Sequence, residues 1–72
     1  MTNPTPLLVG DKPINLTQAL KLIGWAENGG QAKAMIADGF VSVNGEVELR
    51  KRRKMALGDI VTLEGGPSLV LA

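Results

Sequence analysis

A run of five consecutive cations, Arg50 to Lys54, is the stretch of this sequence with the clearest chemistry. The chain has eight Lys and Arg residues and seven Asp and Glu residues, so its formal net charge is only +1. Because five of the eight cations lie in one run, the other three are outnumbered by the seven acids and the charge is segregated. Segregated positive charge is typical of a surface that binds a polyanion. A solvated run that merely keeps a small domain soluble is the alternative interpretation.

A second candidate anion site precedes this run, at the start of a predicted helix. Asn28 followed by Gln31 is a helix-start signal. Gly29 and Gly30 have no side chains, so the free amides of the first turn are open to a phosphate, and Lys33 adds a cation one turn along. Close packing of two helices is an equally good reason for the two glycines.

The composition argues against enzymatic chemistry. The chain has no Cys and no His, which removes disulfides, thiolate metal sites and the commonest metal ligand and general base. No Ser has an obvious activating base beside it. We therefore predict a protein that is not an enzyme and that uses no metal or cofactor. No apolar run approaches the roughly 18 residues of a membrane span, and no signal peptide is recognisable, so a cytoplasmic location without membrane or small-molecule partners is expected.

Two short helices are predicted in the first half of the chain. Asn15 with Gln18 forms a capping-box pattern, and Gly24 is placed as the C-terminal residue of the first helix. Lys21 is expected to point away from the apolar face of this helix. The second helix runs from Asn28 to Asp38. Apolar residues at helical and strand periods predict the following core: Leu16, Ala19, Leu20, Ile23, Ala32, Met35, Ile36, Val41, Val43, Ile60 and Val61.

Four strand-like segments are predicted after the helices. Asn44-Gly45 is a strong two-residue hairpin signal between Phe40–Val43 and a second strand, in which Val47 and Leu49 are expected to face the core. Glu46 and Glu48 are expected to face water, which favours a solvated strand face over a catalytic pair. The basic run then forms a raised loop, and two further strands follow, Ile60 to Leu63 and Ser68 to Leu71.

The predicted fold class is α+β, with two short helices packed against a small antiparallel sheet that contains a β-hairpin. Residues 1–72 form a single domain, with a core motif over residues 14–63. Residues 1–6 are predicted to be a flexible tail, because Pro4 and Pro6 lack backbone donors. A short strand is predicted from Leu7 to Val9.

The sequence resembles the ribosomal-protein-S-four-type RNA-binding domain, also called the alpha-L motif. The matching pattern includes Asn15-Leu16, Gly24-Trp25-Ala26, Val43-Asn44-Gly45 and Gly58-Asp59. The resemblance implies that the second helix and the loop after the hairpin form an RNA-binding surface. This chain departs from the family at two places. It has Asn28-Gly29 where many members have Ser-Arg, and Lys51-Arg52 where others have Pro-Ser.

The charge pattern and the resemblance together predict a non-catalytic protein that recognises structured RNA, ribosomal or transfer RNA, mainly through phosphate backbone contacts. The few aromatic residues disfavour a reader of single strands. Double-stranded DNA as the ligand, and a protein-interaction adaptor that carries a basic loop, remain alternatives. The predicted RNA-binding residues are Gly29, Gly30, Lys33, Arg50, Lys51, Arg52, Arg53 and Lys54.

Overall fold

The computed structural model describes residues 3–72, which form two helices and one five-stranded sheet. The helices are α1 (Leu16–Ile23) and α2 (Gly29–Ala37), and the strands are β1 (Thr5–Leu7), β2 (Val41–Val43), β3 (Glu46–Val47), β4 (Ile60–Leu63) and β5 (Ser68–Leu71). The strand order is β1-β5-β4-β2-β3. The α+β class is confirmed, but the sheet is mixed, since β1 runs parallel to β5 and the other pairs are antiparallel.

Both helices begin where the sequence signals predicted. The side chain of Asn15 accepts a hydrogen bond from the Gln18 amide, and Gln18 Oε1 accepts one from the Asn15 amide, which is a complete capping box. The α1 helix ends at Gly24, which adopts the left-handed conformation with φ of 88°. At α2, Asn28 Oδ1 accepts from the Gln31 amide. In residues 3–72 neither helix is long or apolar enough to cross a membrane.

The apolar core lies where both helices and the sheet meet. Its buried members are Val9, Leu16, Ala19, Leu20, Ala26, Ala32, Ile36, Val41, Val43, Val61, Leu69 and Leu71. Most of the predicted core is therefore confirmed, and Ile23 and Met35 are partly buried against it. Ile60 was wrongly predicted, because its side chain is 38% exposed. It alternates with the buried Val61 along β4 and so faces the opposite side of the sheet.

The second strand of the hairpin has the opposite phase to the prediction. The two-residue turn pairs Val43 with Glu46 and Ser42 with Val47. Directly paired residues share a sheet face, so Val47 lies on the face away from the core. Val47 and Leu49 are accordingly exposed, and the side chain of Glu48 is only 14% exposed. The predicted exposure of Glu46 is confirmed, but the predicted core positions of Val47 and Leu49 and the predicted exposure of Glu48 were wrong.

The predicted flexible tail was wrong for Thr5 and Pro6, which belong to β1. The parallel ladder pairs Thr5 with Leu69 and Leu7 with Leu71, so the strand begins before the predicted segment from Leu7 to Val9. Pro6 is tolerated because β1 is an edge strand and alternate residues of a parallel ladder bond the neighbour, which turns its missing donor away from β5. Residues 1 and 2 of the predicted tail lie outside the described residues.

Candidate nucleic-acid interface

The basic loop, defined as Arg50 to Lys54, is bound to the start of α1 through its backbone. The Leu16 amide donates to the carbonyl of Arg53 at 2.9 Å, and the Thr17 amide donates to the carbonyl of Lys51 at 3.3 Å. The Thr17 hydroxyl donates to the same Lys51 carbonyl at 2.7 Å. First-turn amides have no partner within their own helix. The basic loop satisfies two of those of α1 and is held beside it.

The five cations of the basic loop differ in their surroundings. Arg53 contacts two acids, with Nε 2.9 Å from Glu48 Oε1 and Nη1 3.1 Å from Asp59 Oδ2. Arg50 Nη2 also lies 2.9 Å from Glu48 Oε1. The Arg50 side chain is 75% exposed, whereas that of Arg53 is 24% exposed. Arg53 is therefore largely neutralised inside the fold.

These ion pairs lower the pKa of both acids. The hydrogen bond from the Arg50 side chain, the Arg50 amide and the two guanidinium charges bring the pKa of Glu48 from 4.5 to about 2, although burial opposes the change. Burial likewise opposes ionisation of Asp59, but hydrogen bonds from the Ala56 amide, Asn44 and Arg53 outweigh it and lower the pKa of Asp59. Both carboxylates are charged at neutral pH.

The other three cations of the loop, Lys51, Arg52 and Lys54, are exposed and form no ion pair with any residue from 3 to 72. Arg52 lines a cleft of about 360 Å³ between α1, the start of α2 and the basic loop. The residues that line it are Asn15, Thr17, Gln18, Lys21, Gly29, Lys33 and Arg52. A second, adjoining depression is lined by the loop residues Arg50, Arg52, Arg53 and Lys54. Of the eight predicted RNA-binding residues, the structure thus brings Gly29, Lys33 and Arg52 to one cleft, and the other five do not line it.

Two first-turn amides of α2, those of Gly29 and Gly30, are free in the part of the chain that the structure describes. Neither Gly29 nor Gly30 donates its backbone N–H to another residue between 3 and 72. A β-carbon at Gly29 would meet no atom within 4 Å, and one at Gly30 would meet only the Asn28 side-chain oxygen, at 3.3 Å. Close approach of α1 therefore does not require either glycine, which removes the packing explanation for them.

Known proteins resemble this chain in both sequence and fold. A model of the S4 domain family matches residues 8–71. The chain belongs to the S4 domain family. Over 59 residues it is 48% identical to YbcJ of Escherichia coli strain K12, a match that covers 82% of this chain and 84% of YbcJ. The S4 family resemblance read from the sequence is therefore confirmed.

Two further similarities extend the S4 assignment. The solution structure of E. coli YbcJ, described as revealing an alpha-L motif involved in RNA binding, matches with a TM-score of 0.72 and 42% identity. That match covers 100% of this chain and 91% of the YbcJ chain. A Bacillus subtilis strain 168 protein named as the probable ribosome maturation protein RlbA is 38% identical over 60 residues, covering 83% of this chain and 84% of RlbA.

One cation of this S4 domain was missed from the sequence. Lys21 points away from the core, as expected, but it also lines the cleft together with Lys33 and Arg52 and was not among the predicted RNA-binding residues. Its position four residues after Thr17 and three after Gln18 was the available signal, because residues at these spacings share a helix face. In residues 3–72 there is no cluster of three or more His, Cys, Asp or Glu side chains that could hold a metal ion.

Proposed function

We propose that this S4-domain protein binds structured RNA without catalysing a reaction. We further propose that the phosphate backbone binds in the cleft between α1, α2 and the basic loop. The observation that carries the proposal is the convergence of Lys21, Lys33 and Arg52 from three separate elements on one cleft. Each supplies a full positive charge, which is what contact with a phosphate backbone requires.

The start of α2 adds a second kind of phosphate ligand. The amides of Gly29 and Gly30 have no partner among residues 3–72, and the dipole of α2 favours an anion at this end. Gly29 and Lys33 line the same cleft as Arg52. An RNA backbone entering the cleft would therefore meet backbone donors on one side and side-chain cations on the other, with Lys51, Lys54 and Arg50 extending the basic surface.

The named relatives support the choice of RNA as the ligand. YbcJ is described as carrying a motif involved in RNA binding, and RlbA is named for ribosome maturation. We propose accordingly that the ligand is ribosomal or transfer RNA and that the protein acts in the cytoplasm. Trp25 is half-buried and Phe40 is the one exposed aromatic side chain in residues 3–72, which favours shape and backbone recognition over base stacking.

The decisive measurement is the affinity for transfer RNA and for a ribosomal RNA fragment as a function of salt. If about 3 to 5 phosphates are neutralised, log affinity falls against log salt with a slope of about −2 to −4.5. A single-stranded oligonucleotide and a DNA duplex of matched sequence serve as comparison ligands. Negligible binding to both RNAs at low salt, together with tight binding to a protein partner, would instead support an adaptor.

Variants then locate the contact surface. Lys33→Ala, Arg52→Ala and the double variant are compared with Lys12→Ala, which makes the same charge change in a separate groove beside Val9 and Leu57. Each lost phosphate contact should make the salt slope shallower by about 1 without changing sequence preference. We expect the double variant to bind much more weakly than either single variant and Lys12→Ala to bind nearly normally. Equal losses in the three single variants would mean that binding depends on net charge alone.

A further inference from the structure

One carboxylate holds both ends of a turn in the basic loop. Glu48 Oε2 accepts hydrogen bonds from the Arg50 amide at 3.2 Å and from Arg50 Nε at 3.1 Å. Glu48 Oε1 accepts a hydrogen bond from Arg50 Nη2 at 2.9 Å. Oε1 also lies 2.9 Å from Arg53 Nε. The Arg53 guanidinium also donates a hydrogen bond to Asp59 Oδ2. The other oxygen of Asp59 accepts a hydrogen bond from the Asn44 side chain in the hairpin turn. The loop is thereby tied to the hairpin through charged hydrogen bonds.

The opposite side of the loop is tied to α1. The Lys51 carbonyl accepts from the amide and the hydroxyl of Thr17, a side chain that is 7% exposed, and the Arg53 carbonyl accepts from the Leu16 amide. Between these two sets of bonds the side chain of Arg52 extends into the cleft with Lys33. The backbone that carries the exposed cations is therefore fixed by Glu48 on one side and by α1 on the other.

We propose that Glu48 and Arg53 are positioning residues for RNA binding: their ion pair fixes the backbone of the basic loop so that Arg52 and its exposed neighbours meet the phosphates, and Arg53 itself makes no contact with RNA. This inference rests on the RNA-binding function proposed above. An acidic residue would then strengthen the binding of a polyanion, so the direction in which RNA affinity changes when Glu48 is replaced tests the proposal.

If only net charge mattered, replacing Glu48 would change RNA affinity in the opposite direction. Removing an acid from a basic surface releases two arginines and raises the local positive charge, which should tighten RNA binding. If Glu48 positions the loop, Glu48→Gln weakens binding instead, because only the fraction of molecules with an ordered loop binds well. An ordered fraction of about one fifth would weaken the apparent affinity about fivefold.

The test measures the affinity of folded Glu48→Gln for transfer RNA at one salt concentration. Glu46→Gln is the matched control, since Glu46 lies two residues before Glu48, is exposed and forms no ion pair with residues 3–72. We expect Glu48→Gln to bind about fivefold more weakly and Glu46→Gln to bind as well as or better than the unaltered protein. Unchanged or tighter binding by Glu48→Gln would overturn the proposal.

Amide hydrogen exchange gives a second readout that needs no RNA. In Glu48→Gln, the amides of Leu16 and Thr17 should exchange faster, because they donate to the loop, while amides in β4 keep their protection. Faster exchange throughout β4 would overturn the proposal, since Glu48 would then act through the stability of the whole domain. If the unaltered protein fails to bind RNA, the proposed function is wrong, and exchange still decides whether Glu48 holds the loop.

Substitutions at Thr17 test the same idea from the other side of the loop. Thr17→Val keeps the shape of the side chain but removes the hydroxyl that donates to the Lys51 carbonyl, so we expect weaker RNA binding with no change in charge. Thr17→Ser keeps a hydroxyl donor at this position, so it should bind RNA with about the affinity of the unaltered protein. Equal affinity for the Val and Ser variants would show that the position of the loop does not limit binding.

Discussion

Helices α1 and α2 begin with the same signal, an Asn followed three residues later by a Gln, but their first turns have different partners. At α1 the amides of Leu16 and Thr17 donate to carbonyls of the basic loop. At α2 the amides of Gly29 and Gly30 have no acceptor among residues 3–72. The first turn of α1 therefore holds the basic loop in place, whereas the first turn of α2 has two amides available to a ligand.

This difference shows what a helix cap predicts and what it leaves open. The cap specifies that a helix begins and satisfies one amide of the first turn. The partner of the remaining amides is set by distant parts of the chain, here by a loop that follows the hairpin. The predictions below test whether α1 is the structural start and α2 the functional one.

The largest expected effect concerns the core face of α1. Leu20 is fully buried, so Leu20→Ala should lower the free energy of unfolding by about 2 to 5 kcal/mol through lost burial and a cavity. Leu22→Ala on the same helix is the control, because Leu22 is 62% exposed. Urea denaturation measures both. An unchanged midpoint for Leu20→Ala would contradict the assigned face of α1.

The two caps should have comparable effects on stability but different effects on RNA binding. Asn15→Ala and Asn28→Ala each remove a side-chain acceptor and should cost about 0.5 to 2 kcal/mol. Because Asn28 shapes the free turn of α2, its loss should also weaken RNA binding directly. Asn15 also lines the cleft but lies at a helix start whose amides are bonded to the basic loop, so Asn15→Ala should weaken binding less. Thermal melts and RNA titrations of both variants separate these outcomes, and a larger binding defect for Asn15→Ala would reverse the comparison.

A smaller effect, with opposite signs in two assays, is expected at Gly29. A β-carbon there has open space, so Gly29→Ala should stabilise the domain by about 0.4 to 1 kcal/mol, chiefly by restricting the unfolded chain. The same methyl group would stand beside the amides that we propose as phosphate ligands and should weaken RNA binding. Calorimetry and titration test the pair of effects. Normal affinity in a stabilised variant would show that phosphate does not approach these amides.

The smallest expected effect on stability is that of mild acid, because the ion pairs of Glu48 and Asp59 lie near the surface, where water and salt screen them. The folded pKa of Glu48 is about 2, below its ordinary 4.5, so its stabilising contribution is complete above the ordinary pKa. It is lost as pH falls from about 5 toward 2. The melting temperature of Glu48→Gln should fall less steeply over this range than that of the unaltered protein. Parallel curves would exclude this role for Glu48.

Local sequence signals predicted most of the fold. The caps at Asn15 and Asn28, the Gly24 terminator and the Asn44-Gly45 turn each act within a few residues, and each appears in the structure. Features that depend on distant partners were not predictable in this way. The parallel pairing of β1 with β5 required knowledge of the other end of the chain. The hairpin phase, in contrast, was predictable, because a two-residue turn after the core residue Val43 places Glu46 opposite it and Val47 on the other face.

The candidate site was predictable as a set of charges but not as an arrangement. The run from Arg50 to Lys54 was evident, and its meeting with Gly29 and Lys33 followed from the family resemblance. That Arg53 is neutralised depends on Asp59 and on Glu48, which strand alternation had assigned to water. Because residue type does not reveal which cations pair internally, the run overstated the number of charges left free for a ligand.

The parallel pairing of β1 with β5 also has a kinetic consequence. The ladder joins segments near the two ends of the described chain, so it forms only after the longest loop in the domain has closed. The hairpin and the helix pair involve neighbours in sequence and can form earlier. We therefore expect β1 to join the sheet last during folding and to detach first in local opening, ahead of the core that holds the cleft.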